Sequence, residues 1–114
     1  MTFRATPRET AGATVVDISG HITLGEGSAG LREMVRDLLT KGQKKIVLNL
    51  GDVSYIDSSG IGELVSGYTT VKNQGGELKL LHLTRKVHDL LQITKLFTVF
   101  DVHTDERVAL SSFN

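Results

Sequence analysis

Apolar residues recur along this chain with two alternating periods. Thr14-Val15-Val16-Asp17-Ile18-Ser19 is rich in β-branched residues and ends at Gly20, which predicts a strand. A shorter strand over Phe3 to Thr6 is expected to pair with it as a hairpin through a turn region at Pro7–Gly12. Leu31, Met34, Val35, Leu38 and Leu39 then fall at i, i+3, i+4, i+7 and i+8, one face of a helix that Gly42 is placed to stop. The nearly continuous apolar run Ile46-Val47-Leu48-Asn49-Leu50 predicts a strand buried on both faces. Ile61, Leu64, Val65, Tyr68 and Val71 mark a second amphipathic helix, ended by Gly75-Gly76. A strand at Leu78–Leu81 follows, then a helix on Val87, Leu90 and Leu91 with Thr84 as its N-cap. Phe97–Phe100 reads as a last strand. Thr104-Asp105-Glu106 reads as the capped, acidic start of a last helix.

The order is β-β-α-β-α-β-α-β-α. Crossover helices between strands demand a mostly parallel sheet, here of about five strands, opened by an antiparallel hairpin and packed against about four helices. The pattern leaves open whether helices cover one face or both. At 114 residues a single α/β domain over 1–114 is expected, long enough to bury a core unaided.

Composition narrows the chemistry. There is no Cys, which excludes disulfides and thiolate metal sites. Thirteen basic and thirteen acidic residues leave no net field to attract nucleic acid or an anionic membrane. No apolar stretch approaches the roughly 20 residues that span a bilayer. The first residues lack a signal-peptide core, so a cytoplasmic location is expected.

Asp57-Ser58-Ser59-Gly60 follows the most apolar strand and opens the second helix, where ligands and partners of α/β sheets tend to gather. Plain capping would explain it, with Ser58 or Ser59 as the N-cap. The same place also suits phosphorylation. The first amides of a helix lack intrahelical partners, and its dipole tolerates an anion. A phosphate on Ser58 would add roughly −1.5 to −2 charges beside Asp57, without unfolding the helix but against any partner fitted to the hydroxyl. Glu63, one turn on, would deepen that negative field if it faced the loop. Gly62, Ser66, Thr69, Thr70 and Asn73 form a small, mildly polar helix face. It serves either as a solvated face or as a docking face in which Gly62 and Ser66 make contact.

Two other readings fall short. Gly25-Glu26-Gly27-Ser28-Ala29-Gly30 fits the G-x-G-x-x-G fingerprint, with Asp52 near the ribose-binding distance. Yet four residues separate it from the strand end, and the chain is too short for two mononucleotide-binding halves. Ser58, Asp57 and a histidine supply the residue types of a hydrolase triad, but Ile56-Asp57-Ser58-Ser59-Gly60 is not a nucleophile elbow.

The run Ile46–Leu50 with Val53-Ser54-Tyr55-Ile56-Asp57-Ser58-Ser59-Gly60-Ile61-Gly62 resembles the signature of the bacterial anti-sigma factor antagonists, which are STAS domains. Gly75-Gly76-Glu77-Leu78 and Val87-His88-Asp89-Leu90-Leu91 sit where that family has comparable segments. The resemblance implies a non-enzymatic regulator with no cofactor of its own. Its unphosphorylated form would bind an anti-sigma factor that is also a serine kinase, and so release a sigma factor. Ser58 would be the phosphoacceptor within a loop of Asp57, Ser59 and Gly60, and a PP2C-type phosphatase would reset it. Many members carry an Asp in a Gly-x-x-Asp pattern near this serine. Here the segment reads Gly20-His21-Ile22-Thr23, followed by Leu24, and this region is implied to contact the partner. A STAS scaffold for a complex unrelated to sigma factors is the alternative.

Overall fold

A computed structural model describes residues 2–113. β1 (Phe3–Thr10) and β2 (Ala13–Ile22) form the expected antiparallel hairpin. Its turn is tighter than Pro7–Gly12. Ala11 and Gly12 alone make it, with φ of 53° and 79°, the mirror-image turn whose twist suits a two-residue hairpin. Pro7 lies within β1 instead. The strand is at the sheet edge, where a missing N–H costs no ladder bond.

The sheet has the order β1-β2-β3-β4-β5, and every pairing after the hairpin is parallel. β3 is Lys45–Ile56, β4 Glu77–Leu81 and β5 Asp101–His103. The helices are α1 (Glu26–Thr40), α2 (Ser58–Asn73), α3 (Arg85–Ile93) and α4 (Glu106–Ser111). Thr84 caps α3 as expected, its side chain accepting from the Val87 amide. The expected strand at Phe97–Phe100 is displaced. Phe97–Val99 is a 3-10 turn, and the strand begins at Asp101. The two aromatic rings are held by helices rather than by strand pairing. Phe97 packs on the His88 ring at 4.9 Å, and Phe100 on the Tyr68 ring at 5.5 Å. The last helix is capped by Asp105 rather than Thr104. The Asp105 carboxylate accepts from the amides of Arg107 and Val108.

Helices cover both faces of the sheet, unequally. Val16, Ile46, Leu48, Leu78 and Leu80 join Leu31, Val35 and Leu38 of α1, Ile61, Leu64 and Val71 of α2, and Val87 and Leu91 of α3 in the main core. Alternate strand residues Val15, Val47 and Leu81 point to the other face, under Leu110 of α4 and Phe113. The double-sided burial expected of β3 is thus present. Fully burying each such side chain contributes about 1.5–3 kcal/mol. The second face is also knit by polar groups. Arg8 bonds Asp17 at 2.7 Å and Glu106 at 2.6 Å, tying β1 to α4. Asn49 donates to Asp17 at 2.8 Å. Buried Lys79 pairs with Asp101 at 2.5 Å and lies 4.8 Å from the Phe113 ring centroid.

One asymmetry of the sheet positions the functional segment. β4 pairs with β3 only from Lys45 to Asn49, whereas β2 follows β3 to Ile56 with two register shifts. The second half of β3 therefore projects past β4, beside the end of β2. It delivers Asp57 and the start of α2 next to the β2–α1 loop.

Candidate functional site

The site is organised by Asp57. Its backbone is extended (φ −112°, ψ −174°), and it is the N-cap of α2. One carboxylate oxygen, Oδ1, accepts from the Gly60 amide at 2.9 Å. The other, Oδ2, accepts from the Leu24 amide at 3.0 Å, across to the β2–α1 loop. The expectation that Ser58 or Ser59 caps the helix is therefore corrected. Both Asp57 and Ser58 stand within the two or three residues over which a cap reaches Gly60, and it is the Asp57 carboxylate that accepts from that amide. Burial by itself would raise the Asp57 pKa. Donation from the amides of Gly60, Leu24 and Ser59 together outweighs it and holds the carboxyl below its ordinary value.

Capping by Asp57 leaves Ser58 free. Ser58 is the first residue of α2, is exposed, and makes no side-chain hydrogen bond among the described residues. Ser59 is half-buried and Gly60 buried. Gly60 admits no side chain. A Cβ there would stand inside contact distance of the Ile22 carbonyl oxygen and 2.7 Å from Ile56 Cγ1. The absent side chain is what lets α2 rest against the end of β2.

The β2–α1 loop forms the other wall. Thr23 is half-buried, and its carbonyl accepts from the Ser28 amide at 2.9 Å. Leu24 is 79% exposed, the most exposed large apolar residue among those described. Gly25 is the N-cap of α1 and supplies no side-chain cap. The glycines of the apparent dinucleotide fingerprint have local reasons to be there. Gly25 adopts φ 102°, Gly27 abuts the His21 carbonyl, and a Cβ on Gly30 would sit 2.7 Å from the Phe3 ring. No histidine bonds to Ser58, so the triad is not assembled.

Gly62 and Ser66 are exposed on α2, as are Thr69, Thr70 and Asn73. Glu63 faces α1, not the loop. It accepts from Arg32 Nε at 3.1 Å and Nη2 at 2.5 Å, so its charge is matched rather than added to the field at Ser58. Ser66, Gly67 and Thr70 line a groove of about 280 Å³ between α2 and α1, with Arg32, Val35 and Arg36 opposite.

Two features escaped sequence reading. Tyr55 is exposed, 5.8 Å from the His21 ring, with the Lys86 ammonium 5.4 Å from its own ring centroid. Its signal was faint: strict alternation from Val53 would turn Tyr55 inward, and the register shift between the Gly20–Val53 and His21–Tyr55 pairs, which local pattern does not show, breaks that alternation. The Asp57–Leu24 bond left no trace, because its donor is a main-chain amide 33 residues away.

Comparison with known proteins adds the family. The STAS domain model matches residues 4–109. The anti-sigma-B factor antagonist of Bacillus subtilis is 38% identical over 87 residues, covering 76% of this chain and 78% of that protein. An anti-sigma factor antagonist from Mycobacterium paratuberculosis has the same fold, with a TM-score of 0.82 at 18% identity over 98% of this chain and 94% of that one. The Bacillus cell fate determinant SpoIIAA, in its phosphorylated form, also shares it, with a TM-score of 0.69 at 19% identity over 94% and 96% of the two chains. Members of this kind are regulators, not enzymes. A family match running from β1 into α4, on a sheet and helices of the same arrangement, means that this chain belongs to the STAS domain family, with anti-sigma factor antagonists among its relatives.

Proposed function

We propose that this protein is an anti-sigma factor antagonist switched by phosphorylation of Ser58. In the unphosphorylated form it binds an anti-sigma factor that is also an ATP-dependent serine kinase, and the sigma factor is released. The kinase then phosphorylates Ser58 and the complex separates. A PP2C-type phosphatase restores the binding form. The cycle runs in the cytoplasm, where ATP is available to the kinase.

The observation that carries this reading is the free hydroxyl of Ser58. Asp57 has taken over the capping role, so the serine has no structural duty to lose on modification. A phosphate there meets the positive end of α2 and leaves the core untouched. It changes the surface instead, from a small neutral group to a dianion beside Asp57. Thr23 and Leu24 flank this position on one side and Gly62 and Ser66 on the other, and we assign partner contact to them. Glu63 contributes by holding Arg32 at the rim. The name of the Bacillus subtilis relative supports the sigma-factor role, and phosphorylated SpoIIAA is a precedent for phosphate on this fold.

The test uses the kinase-type anti-sigma factor from the same cell. Ser58→Ala is expected to bind it like the parent and to accept no phosphate. Ser58→Asp is expected to bind at least tenfold more weakly by calorimetry. Equal affinities of the two variants would refute the switch.

A further inference from the structure

The Asp57 carboxylate is shared between two elements. Oδ1 holds the first turn of α2 through the Gly60 amide, and Oδ2 holds the β2–α1 loop through the Leu24 amide. Beside it, the Asp57 amide donates to the Ile22 carbonyl at a long 3.4 Å. The Leu24 side chain, an exposed apolar group, is thus positioned at its own amide by one charge-assisted bond from the residue that precedes Ser58.

We propose that Asp57 is a positioning residue that couples the phosphorylation state of Ser58 to the placement of Leu24. This rests on Ser58 being the phosphoacceptor. A phosphate on Ser58 is carried by the residue next to Asp57 and seeks amides that the Asp57 carboxylate uses at the start of α2, those of Ser59 and Gly60. Two anions compete for one set of donors, and the dianion holds the stronger claim. Among the described residues no side-chain cation bonds Asp57: its donors are main-chain amides, and Arg32 on the facing helix is bound to Glu63. The carboxylate is pushed from the helix start, its grip on the Leu24 amide fails, and the loop carrying the exposed leucine is released. Phosphorylation then acts twice on the docking surface. It adds charge at Ser58, and it withdraws an apolar contact 34 residues away in sequence.

Asn at position 57 separates the two bonds. Its amide oxygen still caps α2 by accepting from Gly60, while its NH2 group cannot accept from Leu24. The readout is hydrogen exchange and the proton shift of individual amides in the full chain, measured by NMR on four proteins: parent, Asp57→Asn, and each of the two carrying phosphoserine at position 58. Asp57→Asn is expected to speed Leu24 exchange about tenfold, the usual worth of one such bond, with Ile61 protection unchanged. Phosphoserine is expected to produce the same loosening, and to add nothing to it in the Asp57→Asn background. Unchanged Leu24 protection on phosphorylation would overturn the coupling. So would equal loosening of Ile61, which would mean that the whole helix start had frayed. Affinity for the kinase, measured on the same samples, keeps the two ideas apart. If phosphoserine abolishes binding while Leu24 stays protected, the switch stands and the coupling falls. If Leu24 is loosened while binding persists, the reverse holds.

Discussion

Gly60 and Gly62 stand two residues apart in the first turns of α2, and adding one methyl group to each should have opposite effects. At Gly60 the new Cβ would overlap the Ile22 carbonyl oxygen and crowd Ile56 Cγ1 at 2.7 Å. Neither atom is the free end of a flexible side chain, so α2 must move away from β2. Overpacking of this kind costs about 1–3 kcal/mol. The movement also draws the Gly60 amide from Asp57, and a weakened N-cap costs about 1 kcal/mol more. Against this stands the helix preference of Ala over Gly, at most about 1 kcal/mol. With that preference taken in full, the net loss is about 1–3 kcal/mol, or a fall in Tm of about 4–12 °C for a chain of this length. At Gly62 a Cβ meets nothing within 4 Å. Gly62→Ala should be neutral or stabilising by up to about 1 kcal/mol. Urea denaturation of the two variants beside the parent decides the matter. Gly60→Ala within about 0.5 kcal/mol of the parent, or Gly62→Ala as damaging as Gly60→Ala, would refute the packing argument.

Other outcomes follow from the charged groups. Arg8→Met should lower stability by about 1 kcal/mol or less, since Arg8 and its partners are partly exposed; the deficit should shrink in 1 M salt, taken as roughly the ionic strength that screens such pairs. Acid should destabilise the protein. The Arg8 guanidinium holds Asp17 and Glu106 below their ordinary values of 3.8 and 4.5, Lys79 does the same for Asp101, and main-chain amides prevail over burial at Asp57. The unfolded chain therefore takes up protons first as pH falls, so this stability is whole above those ordinary values and is lost as pH drops through the folded ones. Urea midpoints measured downward from pH 6 should decline steadily below about pH 4.5; a flat profile would contradict the assigned pairings.

Much of this architecture was legible in the sequence because two periods alternate cleanly. The spacing of Leu31, Val35 and Leu38 could serve only a helix face, and Ile46-Val47-Leu48 only a strand covered on both sides. Thr84 was readable as a cap because no rival stood beside it. At the start of α2 three eligible residues stood in a row, and propensity does not choose among Asp57, Ser58 and Ser59. The choice is made in three dimensions, by where Gly60 must lie for α2 to clear Ile22. Phe97 and Phe100 misled for a related reason: their apolar character serves contacts with His88 and Tyr68, not pairing with β4. The pairing of Glu63 with Arg32 joins positions 31 residues apart, beyond the reach of local pattern.

The second face of the sheet carries its own consequence. Val15, Val47 and Leu81 are sheltered there, among the described residues, by little more than Leu110 and Phe113. Shaving off that segment, or prising it up with a bulky fusion, would bare a strip of strand surface shaped to adhere to its like. The α4 segment thus acts as a hatch against clumping.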